Sequence, residues 1–444
     1  MKQNSFSILE YRSIYYKSYD IYAEDFAGNL VVPKKVFDEL KQFILKNSEQ
    51  SLFLKPSYKS GLGETLQAQN YVGVIQTQDG TTIEILPKIE NVDKNKSKEI
   101  LIKMLKTLKK SPFKNFNMAN LKSSKIPLLE IFITMFLEEL SKLIKRGIKS
   151  DYITKEENLK FLKGKLQINQ QIKMNYIHKE RFFVQYQEFL SNRIENKLIK
   201  TTLEFLYKKS KSNKNQQRIR EFLFVFDEIE VSHNIKSDFS KVKINRQMKD
   251  YEQVLLWCQT FLLENSFSPY KGDNVAFALL FDMNLLFESF VGNYLKKQGL
   301  NVSLQDKGKY LVEEPNKFAL RPDIVINKDN DEDEQLIADT KWKIIKDEQD
   351  ISQQDMYQLY AYGTKYINCK KMYLIYPYNN NDFTLRYLYK NEENDKLVLN
   401  LLFFDLSKDD PVFYNQYNPE VNYKLFEKLK IKEPLADSRK QPII

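Results

Sequence analysis

The sequence contains few of the residues on which several common chemistries depend. Its 444 residues include two cysteines, Cys258 and Cys369, and two histidines, His178 and His233. Two isolated cysteines exclude a disulfide framework and a cysteine-ligated zinc site, and they fit the cytoplasm, where we expect the protein. Two histidines leave almost no material for a His-paired or Ser-His-Asp hydrolase. Any catalysis must therefore be carried mainly by carboxylates, lysine and a metal ion.

Other absences narrow the class of protein further. The chain has no GxxxxGK[ST] motif, so it does not look like a P-loop NTPase. Glycine (12 residues) and proline (13 residues) are scarce, which argues against long flexible linkers. The first residues lack an apolar h-region, so no signal peptide is expected. The most apolar stretch, residues 128–140, contains glutamates and is too short to span a bilayer, so we expect a soluble protein without membrane contact.

The chain is basic, with a formal net charge of +10 and a pI of about 9.0. A basic surface favours polyanions such as nucleic acid. The charge of a whole chain does not locate a patch, however. The two lysine-rich stretches, residues 94–110 and 197–220, are more often solvated helix faces than binding sites. Charge alone therefore leaves nucleic-acid binding as one alternative among several.

Apolar patterning divides the chain into three regions. Residues 71–76 and 82–86 are β-prone runs on either side of Asp79-Gly80, a strong hairpin signal. Stretches such as residues 128–144 show apolar residues at helical spacing. The chain length alone predicts two to three domains of roughly 100–200 residues each. We predict a strand-rich N-terminal domain at residues 1–92, a mainly helical region at 93–265, and a third domain at 266–444.

The third domain alternates helices and strands. We expect, in chain order, a helix at about 276–297, strands at about 318–326 and 336–343, a helix at about 353–366, a strand at about 372–376 and a hairpin at about 382–406. This order suggests a mixed sheet flanked by helices. The predicted fold class of the whole chain is therefore α+β or mixed.

Two aspartates and a lysine stand out within these strands. Asp323 lies in the apolar run LRPDIVI, where a buried carboxylate is costly unless it is paired or metal-bound. Asp339 and Lys341 lie two residues apart in LIADTKWK, so they point to the same side of a strand. If the two strands form a hairpin, Asp323 lies at the same end of the strand pair as Asp339 and Lys341.

Such a group suits metal-assisted hydrolysis of a phosphodiester. Two carboxylates would bind Mg²⁺, a hard cation that prefers oxygen ligands. The ion would lower the pKa of a bound water and neutralise phosphate charge, while Lys341 would orient that water and stabilise developing negative charge. The alternative is an ordinary surface ion pair between Asp339 and Lys341, because a D…DxK pattern is weak in a chain with 29% charged residues. Gln358 and Tyr362 follow on one helix face, four residues apart.

These motifs resemble those of the PD-(D/E)xK nuclease superfamily. The matching pieces are Pro322-Asp323 and Asp339-Thr340-Lys341, and the pair Gln358 and Tyr362 looks like the extra motif of the RecB-like branch. The alternative for the tyrosine is ordinary packing, since most helical tyrosines pack. The resemblance implies a C-terminal PD-(D/E)xK endonuclease fold over residues 266–444.

The resemblance also implies a ligand set. In that superfamily the two acids and the main-chain carbonyl after the second acid bind the metal, which here means Asp323, Asp339 and the carbonyl of Thr340. An acid on the preceding helix often completes the site, and Glu288 is the matching candidate, against the alternative of a solvated helix acid. The implied ion is Mg²⁺, with Mn²⁺ as a substitute.

The order of motifs along most of the chain is similar to that of the McrC family, the nuclease subunits of McrBC-type modification-dependent restriction systems. The joint order of these pieces carries the resemblance. Besides the catalytic stretch, the resembling pieces are residues 71–75, 83–89, 161–166, 192–193, 196–203, 281–284, 286–288 and 355–362.

This family resemblance implies partners. McrC-like proteins work with McrB, a hexameric AAA+ GTPase that recognises modified DNA and whose hydrolysis the N-terminal part of McrC stimulates. We therefore expect an endonuclease subunit of a phage-defence system that cuts double-stranded DNA, with residues 1–92 engaging the partner and residues 93–265 contacting partner or DNA. A partner NTPase fits the missing P-loop. Dimerisation of the nuclease domains stays open.

Two other functions also fit the sequence. One is a non-catalytic adaptor that activates an NTPase partner and uses a nuclease fold as a scaffold; intact Asp323, Asp339 and Lys341 argue against it. The other is a stand-alone RecB-like DNA-processing nuclease, against which the long N-terminal region argues weakly.

Overall fold

The computed structural model describes residues 5–17, 21–45, 53–109, 111–114, 126–263, 276–328, 335–366, 368–379, 386–389, 397–408 and 412–414. The chain forms two compact units. Unit 1 combines Met1–Asn115 with Gly272–Ile444, and unit 2 is Phe116–Lys271. Over the described residues, no helix is long and apolar enough to cross a membrane. The division into three domains stays a prediction.

The described residues form a mixed α/β structure, as the sequence predicts. The strands are β1 (Ser5–Leu9), β2 (Ser13–Tyr16), β3 (Ala23–Glu24), β4 (Leu30–Val32), β5 (Leu54–Lys59), β6 (Gly63–Ala68), β7 (Tyr71–Thr77), β8 (Thr82–Leu86), β9 (Asp151–Leu159), β10 (Lys165–Leu166), β11 (Phe182–Leu190), β12 (Ala276–Asp282), β13 (Val302–Leu304), β14 (Tyr310–Val312), β15 (Lys317–Ala319), β16 (Ile324–Ile326), β17 (Gln335–Thr340), β18 (Cys369–Pro377), β19 (Arg386–Tyr389), β20 (Leu397–Asp405) and β21 (Val412–Tyr414). The helices are α1 (Lys34–Leu45), α2 (Lys94–Leu105), α3 (Leu128–Arg146), α4 (Ile168–Asn175), α5 (Ile194–Lys209), α6 (Asn213–Val225), α7 (Ile235–Lys241), α8 (Lys249–Leu262), α9 (Met283–Lys297) and α10 (Gln353–Lys365).

The N-terminal part of unit 1 is strand-rich, as predicted, and also contains α1. A five-stranded sheet has the order β3-β4-β2-β6-β5. The amphipathic helix α1 buries Phe37 and Leu40 in the same apolar cluster as Ile14 of β2 and Leu66 of β6. Burial of such side chains contributes about 1.5–3 kcal/mol each, which holds the short strands together.

In a second sheet of unit 1, with the order β1-β8-β7-β12, three strands from residues 5–86 pair with one strand from residues 276–282. The predicted hairpin is confirmed, since β7 and β8 pair antiparallel around Gly80, whose φ is +83°. Strand β12 pairs with β7 at close range: a Cβ on Gly73 would lie 2.1 Å from the carbonyl oxygen of Leu279. Strand β12 thus extends an N-terminal sheet with C-terminal residues.

The predicted helix at 276–297 is wrong in its first seven residues. Residues 276–282 form β12, and α9 begins only at Met283. Asp282 is the N-cap of α9, accepting a hydrogen bond from the main-chain nitrogen of Asn284 (2.8 Å). The apolar run AFALLFD suits either a buried strand or a helix, and pairing with the distant β7 decides for the strand.

A seven-stranded mixed sheet forms the C-terminal part of unit 1, in the order β13-β16-β17-β18-β20-β19, with β21 pairing to β20. Strands β17, β18 and β20 run parallel, and α10 supplies the crossover between β17 and β18. Phe403 packs in the apolar cluster that contains Leu359 of α10, whereas the next residue, Phe404, contacts Phe287 of α9. Because successive strand residues face opposite ways, helices cover both faces, as the sequence predicts.

One predicted strand of this sheet is interrupted. The expected strand at 318–326 is divided into β15, which pairs with β14, and β16, which pairs with β13 and β17. The interruption falls at residues 320–323, where Pro322 has no N–H to donate to a strand ladder. Asp323 therefore lies directly before β16 and not inside a strand. The expected hairpin at 382–406 is present in the described residues as antiparallel β19 and β20.

Unit 2 contains the helices predicted for the middle region, but also a sheet that the prediction missed. Helices α3 and α8 pack through aromatic contacts such as Phe136 with Phe261 (ring centroids 6.0 Å apart). Strands β10, β11 and β9 form an antiparallel sheet. Strand β9 is rich in charged side chains, one of which, Lys155, pairs with Glu188 of β11 (2.7 Å), so β9 lacks the apolar run by which a strand is recognised. The mainly helical prediction is therefore incomplete.

Candidate active site

The antiparallel pair β16 and β17 places Asp323 and Asp339 side by side. Ile324 pairs with Ala338, so the residue before β16, Asp323, lies opposite Asp339. The side chain of Asp339 is almost fully buried (2% exposed). The apolar residues around it, including Ile337 and Val325, form a core that fixes both strands. The hairpin inferred from the sequence is thus present, and it brings the two acids together.

Thr340 holds the carboxylate of Asp323. Its main-chain nitrogen donates to Oδ2 of Asp323 (2.8 Å), and its hydroxyl donates to the same oxygen (3.0 Å). On the other side of β17, the nitrogen of Lys341 donates to the carbonyl of Ile375 in β18 (2.9 Å). The N–H and C=O of one strand residue point to the same side, so the carbonyl of Thr340 faces Asp323.

Lys341 lies on the same face as Asp339, as the strand alternation predicts. Its Nζ is 2.6 Å from Oδ2 of Asp339 and 3.6 Å from Oδ1 of Asp355 on α10. Oδ2 of Asp339 receives no well-directed hydrogen bond, so the short contact with Lys341 acts mainly through charge. Asp355 is a charged neighbour that the sequence motif does not name, although it lies three residues before Gln358 and so on the same face of α10.

The two polar residues of α10 are connected to this lysine. Oε1 of Gln358 accepts a hydrogen bond from Nζ of Lys341 (3.4 Å), and Nε2 of Gln358 donates to the hydroxyl of Tyr362 (2.6 Å). Tyr362, which is buried, donates in turn to the carbonyl of Arg321 (3.2 Å). One helix face thereby links the lysine to the segment that carries Asp323.

Glu288 lies on α9, and its neighbour Gln305 was missed by sequence reasoning. Nε2 of Gln305 donates to Oε2 of Glu288 (2.7 Å) and lies 3.4 Å from Oδ1 of Asp323. The main-chain nitrogen of Gln305 also donates to the carbonyl of Asp323 (2.9 Å). Gln305 adopts a left-handed conformation, with a φ of +51°, which is uncommon for a residue other than glycine. No sequence motif marks a glutamine in this loop.

The three acids raise one another's pKa values. Burial raises the pKa of Asp339, and the charge of Asp323 adds to the effect. Burial and the charge of Glu288 likewise raise the pKa of Asp323, against the lowering effect of the Thr340 hydrogen bonds. Burial also raises the pKa of Glu288. Burial lowers the pKa of Lys341, but Asp339 more than offsets this and the net shift is upward. The site therefore gathers more negative charge than its one lysine neutralises.

This donor set suits a hard divalent cation. Among the described residues, no group of three or more His, Cys, Asp or Glu side chains lies close enough together to hold a metal ion. The ligands available are instead two neighbouring carboxylates, Asp323 and Asp339, and the carbonyl of Thr340. These are oxygen donors, which Mg²⁺ and Mn²⁺ accept, and water usually fills the remaining positions around Mg²⁺. Glu288 stands next to this set and is held by Gln305.

The site consists of an acid pair, a lysine and a glutamine–tyrosine relay at the end of the central strand β17. Comparison with known sequences shows the family to which the chain belongs. Residues 66–377 match the sequence model of the family described as McrBC, a 5-methylcytosine restriction system component. The match covers well over half of the chain. The protein therefore belongs to the McrBC family, and its resemblance to that family is confirmed.

Solved structures show a similar fold. A chain from the refined half-complex of the tetradecameric assembly of Thermococcus gammatolerans McrB AAA+ hexamers with bound McrC is similar to this protein at a TM-score of 0.63 and 19% identity, over 90% of this chain and 94% of that chain. A second match, to the cryo-EM structure of the Thermococcus gammatolerans McrBC complex, has a TM-score of 0.48 and 20% identity, over 69% and 90% of the two chains. No curated protein matches.

Proposed function

We propose that this protein is the DNA endonuclease subunit of a McrBC-type restriction complex, and that its C-terminal region has the PD-(D/E)xK nuclease fold. The observation that carries the proposal is the meeting of Asp323, Asp339 and Lys341 at one end of a mixed sheet. A solitary surface ion pair would not need a second buried acid beside it, because that acid raises the free energy of the pair. A site for phosphodiester hydrolysis does need one.

The ion that we propose is Mg²⁺, with Mn²⁺ as a substitute. Asp323, Asp339 and the carbonyl of Thr340 would hold it, and Glu288 would add negative charge beside it. When bound, such an ion acts as a Lewis acid that lowers the pKa of water and neutralises charge on the phosphate. The raised pKa values of both aspartates fit this role, since a cation would favour their charged forms.

The other side chains would act on the substrate and the attacking water. Lys341 would orient the water and stabilise negative charge on the phosphate as it develops. Gln358 would hold the lysine ammonium, and Tyr362 would hold Gln358 through its hydroxyl. Because Asp339, Asp355 and Gln358 surround Lys341, the lysine enters the reaction charged and oriented.

The proposed partner is a McrB-like AAA+ GTPase hexamer, and the proposed substrate is double-stranded DNA carrying a modified base. The similar Thermococcus structure contains McrB hexamers with bound McrC, and its matched chain aligns with 90% of this protein. The absence of a P-loop motif from this sequence supports a division of labour in which a second chain hydrolyses GTP. The cytoplasm is the compartment in which such a complex would meet foreign DNA.

The test is co-purification with the product of the neighbouring gene, followed by a cleavage assay. The assay uses double-stranded DNA with and without 5-methylcytosine, GTP and Mg²⁺, with EDTA as the metal-free control. The proposal expects cleavage that needs the partner, GTP and the metal. Stimulated GTP hydrolysis without cleavage under any divalent metal would instead identify an adaptor. Degradation of free DNA ends without partner or GTP would identify a stand-alone nuclease.

A further inference from the structure

Glu10, at the N-terminal end of the chain, contacts Trp342, the residue that follows Lys341. The indole Nε1 of Trp342 donates to both carboxyl oxygens of Glu10, at 3.1 and 3.0 Å. Glu10 is fully buried and Trp342 is 6% exposed. The two residues are separated by 332 positions in the sequence, yet both belong to unit 1. A buried carboxyl in such a place is costly and calls for an explanation.

The N-terminal sheet holds Glu10 rigidly. Glu10 comes directly after β1, and its main-chain nitrogen donates to the carbonyl of Leu86 in β8 (3.0 Å). The main-chain nitrogen of Lys88 donates to Oε1 of its side chain (2.9 Å). Both the backbone and the side chain of Glu10 are therefore fixed by the sheet β1-β8-β7-β12.

Trp342 links Glu10 to the site through two further contacts, both with α9. Its main-chain nitrogen, one peptide bond away from Lys341, donates to Oδ1 of Asn284 in the first turn of α9 (3.3 Å). Its ring meets Phe287 edge to face, with centroids 5.3 Å apart, and Phe287 is adjacent to Glu288. Lys341 lies at the end of β17, where the last strand residue is Thr340. The sheet still holds Lys341 through one main-chain hydrogen bond, to the carbonyl of Ile375 in β18 (2.9 Å), and the Trp342 contacts fix the residue that follows.

We infer that Glu10 is a positioning residue for the nuclease site: through Trp342 it sets the place of Lys341 relative to Asp339. This inference rests on the proposed function for its consequence in catalysis. The segment that the family resemblance gives to partner engagement, residues 1–92, then also contains an element of the nuclease site. A shift of β1 would move Trp342 and with it the lysine.

Conservative substitution separates hydrogen bonding from charge at Glu10. Burial raises the pKa of Glu10 to about 8, a shift to which the charge of Asp282 adds and which the hydrogen bonds from Lys88 and Trp342 and the charge of Lys88 oppose. Glutamine has nearly the same shape, carries no charge and keeps an acceptor oxygen that can take the place of Oε1, to which both Lys88 and Trp342 donate. Glu10→Gln should therefore retain the contact with Trp342, whereas Glu10→Ala leaves a buried indole N–H unpaired.

The matched control is Glu84, a buried glutamate of β8 in the same sheet, whose carboxylate pairs with Lys98 (2.6 Å). Glu84→Ala should cost comparable stability without touching Trp342. All variants are measured as the full chain with its AAA+ partner, by kcat and KM for cleavage and by thermal unfolding. We expect Glu10→Ala and Trp342→Phe to lower kcat at least about tenfold with little change in KM, because small misplacements of catalytic groups have large effects. Glu10→Gln and Glu84→Ala should stay near wild type.

A second measurement reports the chemical reactivity of Lys341 directly and does not depend on DNA cleavage. Competitive acetylation of the full chain, followed by mass spectrometry, gives the labelling of Lys341 relative to the exposed Lys343 nearby. Glu10→Ala should change this ratio several-fold, and Glu10→Gln and Glu84→Ala should not. Equal ratios and equal kcat in Glu10→Ala and Glu84→Ala would overturn the inference. If the wild type cuts no DNA, the proposed function fails, and the acetylation ratio alone decides whether Glu10 positions Lys341.

Discussion

Thr340 donates two hydrogen bonds to a single oxygen of Asp323, one from its main-chain nitrogen (2.8 Å) and one from its hydroxyl (3.0 Å). The residue between the second acid and the lysine thus stabilises the charged form of the first acid. The DxK motif is usually considered for its acid and its lysine. Here its middle residue links the two aspartates into one unit and keeps the pKa of Asp323 lower than burial alone would set it.

Substitution of Thr340 should shift the pH dependence of cleavage. Thr340→Val keeps the main-chain hydrogen bond and removes the hydroxyl, so the pKa of Asp323 should rise further. Metal binding and cleavage need the ionised carboxylate, hence the acid limb of the pH–rate profile should move to higher pH. Thr340→Ser, which keeps the hydroxyl, is the control and should leave the limb in place. An unshifted limb in Thr340→Val would show that the hydroxyl does not act on Asp323.

Asp339→Asn should stabilise the metal-free protein at alkaline pH while abolishing cleavage. Burial and Asp323 raise the pKa of Asp339 above its unfolded value, so wild-type stability is lost as pH rises from about the ordinary aspartate value through the raised one. The asparagine does not titrate. We expect a gain in the free energy of unfolding at pH 8 and none at pH 4, because only the charged form of the wild-type carboxyl is disfavoured by burial and by Asp323. Denaturant unfolding with EDTA measures this difference, and a variant less stable than wild type at pH 8 would show that burial and Asp323 do not destabilise the charged form.

Lys341→Ala should lower kcat by about 10²–10³, the usual cost of losing a group that stabilises transition-state charge. The variant should still fold and bind its AAA+ partner, because Lys341 follows the last residue of β17 and its side chain is 27% exposed. Lys343→Ala, two residues along, is the control and should cut DNA normally. Cleavage by Lys341→Ala at the wild-type rate would remove the lysine from the mechanism.

Substitutions in the relay that runs from Lys341 through Gln358 to Tyr362 should reduce kcat less the farther the residue lies from Lys341. Gln358→Ala removes the acceptor of the Lys341 ammonium and should reduce kcat about tenfold, since a hydrogen bond to a charged group contributes about 1.5–3 kcal/mol. Tyr362→Phe removes only the hydroxyl that holds Gln358 and should have a smaller effect. Tyr357→Phe is the control, because Tyr357 is 64% exposed on the same helix. A loss in Tyr357→Phe equal to that in Gln358→Ala would mean that the relay is unspecific.

The sequence predicts the parts of the site that follow from strand periodicity. The alternation of side chains places Asp339 and Lys341 on one face, and helical spacing places Gln358 with Tyr362; both relations are present in the structure. Gln305 and Glu10 could not be found in this way, because they reach the site from a loop and from the end of a distant strand, and no periodicity of their own segments reports on such contacts. Asp355 does follow from helical spacing, since it lies three residues before Gln358 on α10, but the motif names only Gln358 and Tyr362.

The fold, like the site, has parts that local sequence patterns predict and parts that depend on pairing between distant segments. Hairpin β7–β8 and helix α3 are local in the sequence and are predicted correctly. The sequence of β12 is a nearly continuous apolar run, a pattern that suits a helix as well as a strand. Only its pairing with β7, about 200 residues earlier in the chain, decides for the strand. In the sheet of unit 2, β9 is rich in charged residues and shows no apolar run. Tertiary pairing, which the chain pattern does not contain, decides both cases.

Binding of Mn²⁺ to the full-length chain, measured by electron paramagnetic resonance at pH 8, tests most directly whether the two aspartates hold a divalent ion. The account predicts a bound ion in the wild type, competed by Mg²⁺. It predicts the loss of that ion in Asp323→Asn and in Asp339→Asn, and its retention in Glu313→Gln, an exposed acid that pairs with Lys365 (3.0 Å). Unchanged binding in both aspartate variants, or no binding by a folded wild type, would contradict the account.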